Sequence, residues 1–413
     1  MTTTVRTPWV VAVGLILALV LTHAPLAQSA AYKVPEADST NLDFYRPPIA
    51  TDPYPLTDAE RVKNVILCIG DGMGLSQVAL TSRKAVGRKG RLHMERLPIS
   101  GLVRTWSANS AVTDSAAAST AMACGVKTNN GMIGMTPDGQ RYHTILEAAQ
   151  TRGMATGLVA TAAITHATPA AFASHVKSRK MEDRIAEHLI GNRVNVLFGG
   201  GRRFFLPGSD PNSGREDEID LITAAREAGY AYVETACDLR SSGDDRILGL
   251  FQLGALTTVE PEPSLATLTE KAIETLHRVN HRPDTEGPGF FLMVEGSQID
   301  WACHNNDTAA TIRQTLLFDQ AVEAAVDFAL KDGHTLVIVT ADHETGGLTL
   351  FDNDNGEADL VPRWSTKGHS GSPVPIWAVG PGALRFAGVQ DNTDVPRKIA
   401  RMLDIKPFPR LVK

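Results

Sequence analysis

The sequence is sparing with the residues that usually announce a chemistry. Only 4 of its 413 residues are cysteine, and Cys68, Cys124, Cys237 and Cys303 are widely spaced with no C-x-x-C pair. Basic residues are not in excess: 40 Lys and Arg against 46 Asp and Glu leave a net charge of -6. That balance argues against a general nucleic-acid partner and leaves small anionic substrates open. No internal repeat or low-complexity tract interrupts the chain. Apolar runs are short as well. Val10–Leu21 is about half the ~20 residues a membrane-spanning helix needs.

That short run has a different reading. With Arg6 before it and the small residues of "THAPLAQSAAY" after it, it forms a secretory signal peptide, cut after Ser29 or Ala31. Neither a twin arginine nor a lipid-attachment cysteine accompanies it. The expected division is a signal peptide at residues 1–31, a polar, Pro-rich arm at 32–55, and a single catalytic domain at 56–413. The mature protein is expected in the periplasm or the medium, without a stable membrane anchor. Export permits disulfides, but spacing alone cannot pair four cysteines. Free buried thiols are the simpler expectation, because Cys68 sits in a strand-like run and Cys124 in an Ala-rich helix.

After the arm, apolar strands and amphipathic helices alternate. Strands are expected within Val62–Gly74, Ala155–Thr161, Val194–Gly201, Phe290–Gly296 and His334–Gly347, with Val374–Ala383 as the last. Helices are expected at Thr144–Gly153, Glu182–Ile190, Leu265–Val279 and Thr308–Leu330. Strands without period-two alternation, interleaved with helices, predict an α/β fold with a mainly parallel central sheet covered on both faces. Pro207–Glu218 and Asp352–Arg363 read as small surface insertions. "DNDNGEAD" fits a turn better than a calcium loop. Gly199–Arg203 fits a strand-ending turn better than a phosphate cradle, since it lacks the P-loop spacing.

Acidic and imidazole side chains gather at the expected strand ends, where such sheets bind ligands. Asp71 follows the first strand within "GDGMG", Glu295 ends another, and Asp342-His343 follow "VIVT". Asp300 and His304 are four apart, so one helical turn puts both on one face. His369 lies in a Gly-flanked loop. Mixed Asp/His sets suit catalytic zinc, and an all-oxygen group suits magnesium.

A further stretch, "SANSAVTDSAAASTAMACG", places Ser115 at the start of a helix that Gly125 can stop. A serine hydroxyl needs activation, yet no histidine lies within ten residues and there is no G-x-S-x-G elbow. Direct coordination to a metal would remove the need for a base. The helix N-terminus would favour both an alkoxide and a phosphate.

The ordered set "DGMG", "TDSAAASTA", "GVKT", "THATPAAF", "SRK", "VEGSQID…H", "TADHE" and "GHSG" resembles the alkaline phosphatase family over nearly all of the mature sequence. The resemblance implies a phosphate monoesterase with two zinc ions and one magnesium ion per subunit, working through phosphoserine and releasing inorganic phosphate. It implies Asp300, His304 and His369 as ligands of the first zinc. Asp71, Asp342 and His343, with Ser115, would hold the second. Asp71, Thr168 and Glu295 would hold magnesium. Arg179 would grip phosphate, oriented by Asp114. His166 and Trp301 stand where the best-studied bacterial pattern has aspartate and lysine, so the magnesium site and phosphate grip are the parts expected to differ. The short insertion before His369 predicts a small crown-like subdomain or none, and the family's usual state is a homodimer. A phosphodiesterase of the same superfamily is the nearer alternative, and a non-catalytic secreted metal-binding protein the more distant one. A sulfatase would need a C/S-x-P-x-R pattern that "TDSAAAS" lacks.

Overall fold

A ten-stranded sheet organises the molecule. In this computed structural model, residues 1–2, 40–56, 61–282, 285–353 and 359–412 are described. Nearly all of the proposed signal peptide, the start of the arm and most of "DNDNGEAD" lie outside them.

In chain order the sheet strands are β1 (Asn64–Gly70), β2 (Ile99–Arg104), β3 (Ala155–Ala163), β4 (Val196–Gly200), β5 (Ala231–Val233), β6 (Ile247–Leu250), β7 (Phe290–Gly296), β8 (Thr335–Thr340), β9 (Val374–Val379) and β10 (Gly388–Asp391). They lie side by side as β10-β2-β9-β8-β1-β7-β3-β4-β6-β5. Only β9 runs antiparallel to its neighbours. The expected mainly parallel α/β fold is therefore present.

The central strands are buried on both faces. Every residue of β1, β7 and β8 is buried, as the continuous apolar runs NVILCIG, FFLMVEG and TLVIVT require of a covered parallel sheet. Two long helices cover part of this sheet: α4 (Leu265–Asn280) packs on β3, and α6 (Thr308–Asp332) packs on β8, β7 and α4. Ser264 and Asp307 cap them, each accepting from a backbone N–H of the first turn. The other helices that matter here are α1 (Leu75–Val86), α2 (Ser115–Cys124), α3 (Ala167–Ala170) and α5 (Gln298–His304).

Val374–Val379 is a strand, but not the last one. The edge strand β10 follows it, and Val389 there is 69% exposed. A short, half-solvated strand carries too little apolar pattern to read from sequence. All four cysteines are free thiols. The expectation that they are buried fails at Cys237, which is exposed near the start of a short surface helix. Gly199–Arg203 is a strand-ending turn in which Gly201 takes φ 91° and Arg202 pairs with Glu234. The insertion after His343 carries a two-stranded hairpin, Leu348–Asp352 against Leu360–Trp364.

The described part of the arm is fastened to the body. The Tyr45 hydroxyl donates to Asp319 on α6 at 2.7 Å, and the Tyr54 hydroxyl meets His93 Nδ1 at 3.2 Å. Residues 34–413 form one compact unit. Among the described residues, no helix is long and apolar enough to cross a membrane.

Candidate active site

Four adjacent strands deliver the site. Within the order β8-β1-β7-β3, Ile69 of β1 lies opposite Glu295 of β7 and Thr340 of β8, and Ala160 of β3 lies opposite Glu295. Asp71, Glu295 and Asp342 therefore emerge side by side at the carboxyl edge, where a parallel sheet leaves a crevice. After β3 the chain turns into α3, which carries Thr168, with His166 just before it. A small antiparallel ladder, Glu344–Thr345 against His369–Ser370, sets Thr345 opposite His369.

Two sets of donors converge there. In the first, His304 Nε2 lies 3.2 Å from Asp300 Oδ2, His369 Nε2 lies 3.6 Å from Asp300 Oδ1, and the two Nε2 atoms are 3.2 Å apart. In the second, His343 Nε2 lies 3.4 Å from Asp71 Oδ1, 3.2 Å from Asp342 Oδ2 and 3.2 Å from Ser115 Oγ. The His343 and His369 rings stack with centroids 3.6 Å apart, so the sets adjoin. Tetrahedral ligands about 2.0–2.1 Å from a zinc ion stand about 3.3 Å from one another. These separations are of that size.

Hydrogen bonds fix which ring nitrogen is left over. His304 Nδ1 faces the Lys367 carbonyl at 2.5 Å, and His369 Nδ1 faces the Thr113 carbonyl at 2.9 Å. A carbonyl only accepts, so each Nδ1 must donate. His343 Nδ1 lies 3.2 Å from the Thr345 hydroxyl, which spends its own hydrogen on Asp300 Oδ1 at 2.5 Å. On the neutral rings all three Nε2 atoms are then lone pairs beside carboxylates, and those of His304 and His369 face each other. Asp342 shows the same division of labour: Oδ1 accepts from the Gly72 and His343 amides, while buried Oδ2 has no hydrogen-bond partner. Both oxygens of Asp71, both of Glu295 and the Thr168 hydroxyl are likewise buried without one.

Such a group of acceptors is unstable without cations. Burial, then the charges of Asp342, Asp300 and Glu295, push the Asp71 carboxyl well above its usual range. Burial likewise lifts Glu295 to about 8 and Asp342 to about 7. Asp300 goes the other way: burial opposes ionisation, but with protons on the rings in place of metal, the His304 hydrogen bond and the charges of His369, His304 and His343 hold its carboxyl well below the usual range. The donor set, nitrogen with carboxylate and a hydroxyl, suits zinc. Asp71, Glu295 and His166 also have donor atoms within 4.8 Å of one another, enough for a third ion.

Ser115 opens α2 and is buried. Asp114 caps that helix through Oδ1, which accepts from Ala117 N at 2.9 Å. Its Oδ2 accepts from Gly131 N at 2.9 Å and from Arg179 Nη1 at 3.3 Å. Arg179 Nη2 donates to His166 Nε2 at 3.0 Å. Burial and the Arg179 charge lower His166 to about 3, so its ring is neutral and free to accept. Trp301 is buried on α5, with its ring edge-on to His166 at 6.0 Å. Asp71, Ser115, His166, Glu295, Asp300, Trp301, His304, Asp342, His343 and His369 are thus linked through contacts, with Arg179 and Asp114 joined to them through His166.

Gly72 makes the crowding feasible. It sits at φ +71°, and a Cβ there would stand 2.8 Å from the Thr345 hydroxyl and 2.9 Å from Asp300. Thr345 itself was not singled out from the sequence. Its one available signal was position, two residues beyond His343 in an extended segment and therefore on the same side.

Known proteins share this chain's sequence and fold. The family described as alkaline phosphatase matches residues 62–361. Alkaline phosphatase 3 of Bacillus subtilis is 35% identical, over 83% of this chain and 89% of its own. Among solved structures, the alkaline phosphatase of the Antarctic bacterium TAB5 is 34% identical with a TM-score of 0.75, covering 85% of this chain and all of its own. A variant of that enzyme, described as having Mg bound in the M3 site, superposes with a TM-score of 0.74 at 34% identity over the same shares.

Proposed function

The chain belongs to the alkaline phosphatase family and is a phosphoric monoester hydrolase, and from that premise we propose that it is exported and works through a phosphoserine at Ser115, with two zinc ions and one magnesium ion. The observation that carries this reading is the convergence of three bare Nε2 lone pairs on buried carboxylates, with the Ser115 hydroxyl 3.2 Å from one of them.

Asp300, His304 and His369 would hold one zinc ion, and Asp71, Asp342 and His343 the other. Asp71, Glu295 and Thr168 would hold magnesium, with His166 beside it. The variant described as having magnesium at its M3 site supports a third ion in this family. When bound, the ions supply Lewis-acid stabilisation of negative charge on the attacking and leaving oxygens.

The chain's own groups do the rest. Ser115 attacks phosphorus in line and the ester bond breaks, leaving the phosphoryl group on Ser115 and the alcohol free. Water then cleaves the phosphoserine and regenerates the hydroxyl. The N-terminal end of α2, which Ser115 opens, favours the developing negative charge. Arg179 grips the phosphoryl oxygens with its guanidinium, held in place by Asp114 and His166. Burial of Ser115 limits competing water.

The proposed organisation is a cleaved signal peptide at 1–31, an arm at 32–55 and a single catalytic domain at 56–413. The mature chain acts in the periplasm or the medium, as a homodimer. N-terminal sequencing of the exported protein should begin near Ala30–Tyr32. A terminus that retains Val10–Leu21 contradicts this division. The function is tested with aryl and alkyl phosphates, a diester and a sulfate, with metal analysis of the same sample. Monoester turnover with bound zinc supports the reading. A preference for the diester, or no turnover with metal bound, overturns it.

A further inference from the structure

Between the two histidine-bearing segments lies a buried carboxylate that the reaction does not use. Glu344 follows His343 in the chain and is 5% exposed. Its Oε1 accepts from Gln77 Nε2 at 2.9 Å and from Leu348 N at 3.2 Å. Its Oε2 accepts from the Ser370 hydroxyl and from Gly347 N at 3.2 Å. None of these donors is charged, and no ion pair reaches Glu344 among the described residues. Burying a carboxylate is costly unless hydrogen bonds replace its water, and here two donors serve each oxygen.

The donors come from separate parts of the chain. Gln77 is fully buried on α1, the helix that follows the Asp71 turn. Ser370 is the neighbour of His369. Gly347 lies in the turn after Thr345, and Leu348 opens the hairpin strand that follows. Gln77 Nε2 also donates to the Thr345 carbonyl at 2.7 Å and lies 3.8 Å from the thiol of Cys303, which precedes His304. One carboxylate thus ties together the segments that carry Asp71, His343 and His369, and through Gln77 it reaches the His304 helix. The last glycine of "DGMG" makes room for it. A Cβ on Gly74 would stand 2.4 Å from Glu344 Cγ and 2.8 Å from Gln77 Oε1.

We propose that Glu344, with Gln77 and Ser370, is the positioning group of the metal centre, holding His343 and His369 at the separation two adjoining ions need. The proposal rests on the reading that these histidines bind zinc. A carboxylate suits the task because it only accepts. Glutamine would turn an amide toward two of the four donors and lose those bonds. Outer partners of this kind orient metal ligands, and losing one typically costs about 10–100-fold in metal affinity or activity.

The test is zinc affinity, measured by titrating the metal-stripped protein against a competing chelator. Wild type, Glu344→Gln and Ser370→Ala are compared, with kcat and KM at saturating zinc. Glu344→Gln should weaken zinc binding about 10–100-fold, and Ser370→Ala by roughly several-fold. Activity lost at limiting zinc should return at saturating zinc with KM unchanged. A merely structural role would lower the unfolding temperature and leave the zinc constant alone. If Glu344→Gln does not fold, Ser370→Ala decides the matter. Zinc constants within about twofold of wild type in the folded variants overturn the proposal. A wild type that takes up no zinc overturns the metal reading beneath it instead.

Discussion

The Nε2 atoms of His304 and His369 stand 3.2 Å apart, while each ring commits its Nδ1 hydrogen to a backbone carbonyl. Two facing lone pairs repel unless a cation or a proton lies between them. Stripping the metal should therefore lower the unfolding temperature, and zinc should restore it. His369→Ala should lose zinc and more activity than the ~100-fold typical of an outer partner. A His369→Ala protein with full zinc and near-normal turnover would remove this residue from the site.

Ser115 is the expected nucleophile. Acid quenching during turnover should trap labelled phosphate on the peptide that contains Ser115, because a phosphate ester of serine survives acid. Ser115→Ala should trap none, and its turnover should fall by several orders of magnitude. Label on any other residue would refute the assignment.

Trp301 and His166 meet edge to face beside Arg179, which already donates to His166. A lysine in place of Trp301 adds a positive charge to this corner. Trp301→Lys should tighten inhibition by inorganic phosphate several-fold, equivalent to about 1 kcal/mol. Where product release is limiting, it should also slow turnover. His166→Asp replaces a neutral nitrogen with a hard oxygen donor and should strengthen magnesium dependence. The inhibition constants of both single variants and the double variant check this. An unchanged constant in folded, zinc-loaded Trp301→Lys would place Trp301 away from the phosphate.

A second imidazole–carboxylate pair should shape stability. His175 Nε2 lies 3.0 Å from Glu147, whose carboxylate also accepts from Asn192 and Thr144 and has His143 3.6 Å away. Burial works against both charges. The mutual hydrogen bond and charge win, raising His175 and lowering Glu147. A raised histidine stabilises fully below its unfolded value of about 6.5 and loses that effect as pH climbs through its folded value. A lowered glutamate stabilises above its unfolded value of about 4.3 and loses that effect as pH falls through its folded value. The pair is therefore strongest between those two unfolded values. Glu147→Gln should lower the unfolding temperature by roughly 1–1.5 °C near pH 6, for about 1 kcal/mol lost over a domain of this size, and by less near pH 9. Equal losses at both values would mean that the pair is not ionised.

Much of the fold was legible because burial on both faces forces continuous apolar runs. The expected strand Phe290–Gly296 has the observed ends, and the expected helix from Thr308 starts where the chain caps it with Asp307. Shorter pieces were not legible. Ala231–Val233 and the edge strand at Gly388–Asp391 owe their form to neighbours, and few of their residues are fully buried. The Asp300–His304 pair could be foreseen from helical spacing alone, and it lies on one short helix.

What the sequence alone determined about this protein is the sheet type and which polar residues stand at the strand ends. Apolar periodicity and the position of polar residues at strand ends are local properties that do not depend on who packs against whom. Pairing was decided by tertiary structure. Nothing in the spacing of His304 and His369 says that their Nε2 atoms meet, or that the Lys367 and Thr113 carbonyls fix their tautomers. The same holds for Thr345, which reaches from His343 to Asp300, and for Glu344, which joins Gln77 to Ser370. These contacts arise because β1 lies between β7 and β8 and because a two-residue ladder folds His369 back on Thr345. A hydrogen bond needs atoms within about 3 Å, and only the packed chain brings residues so distant in sequence that close.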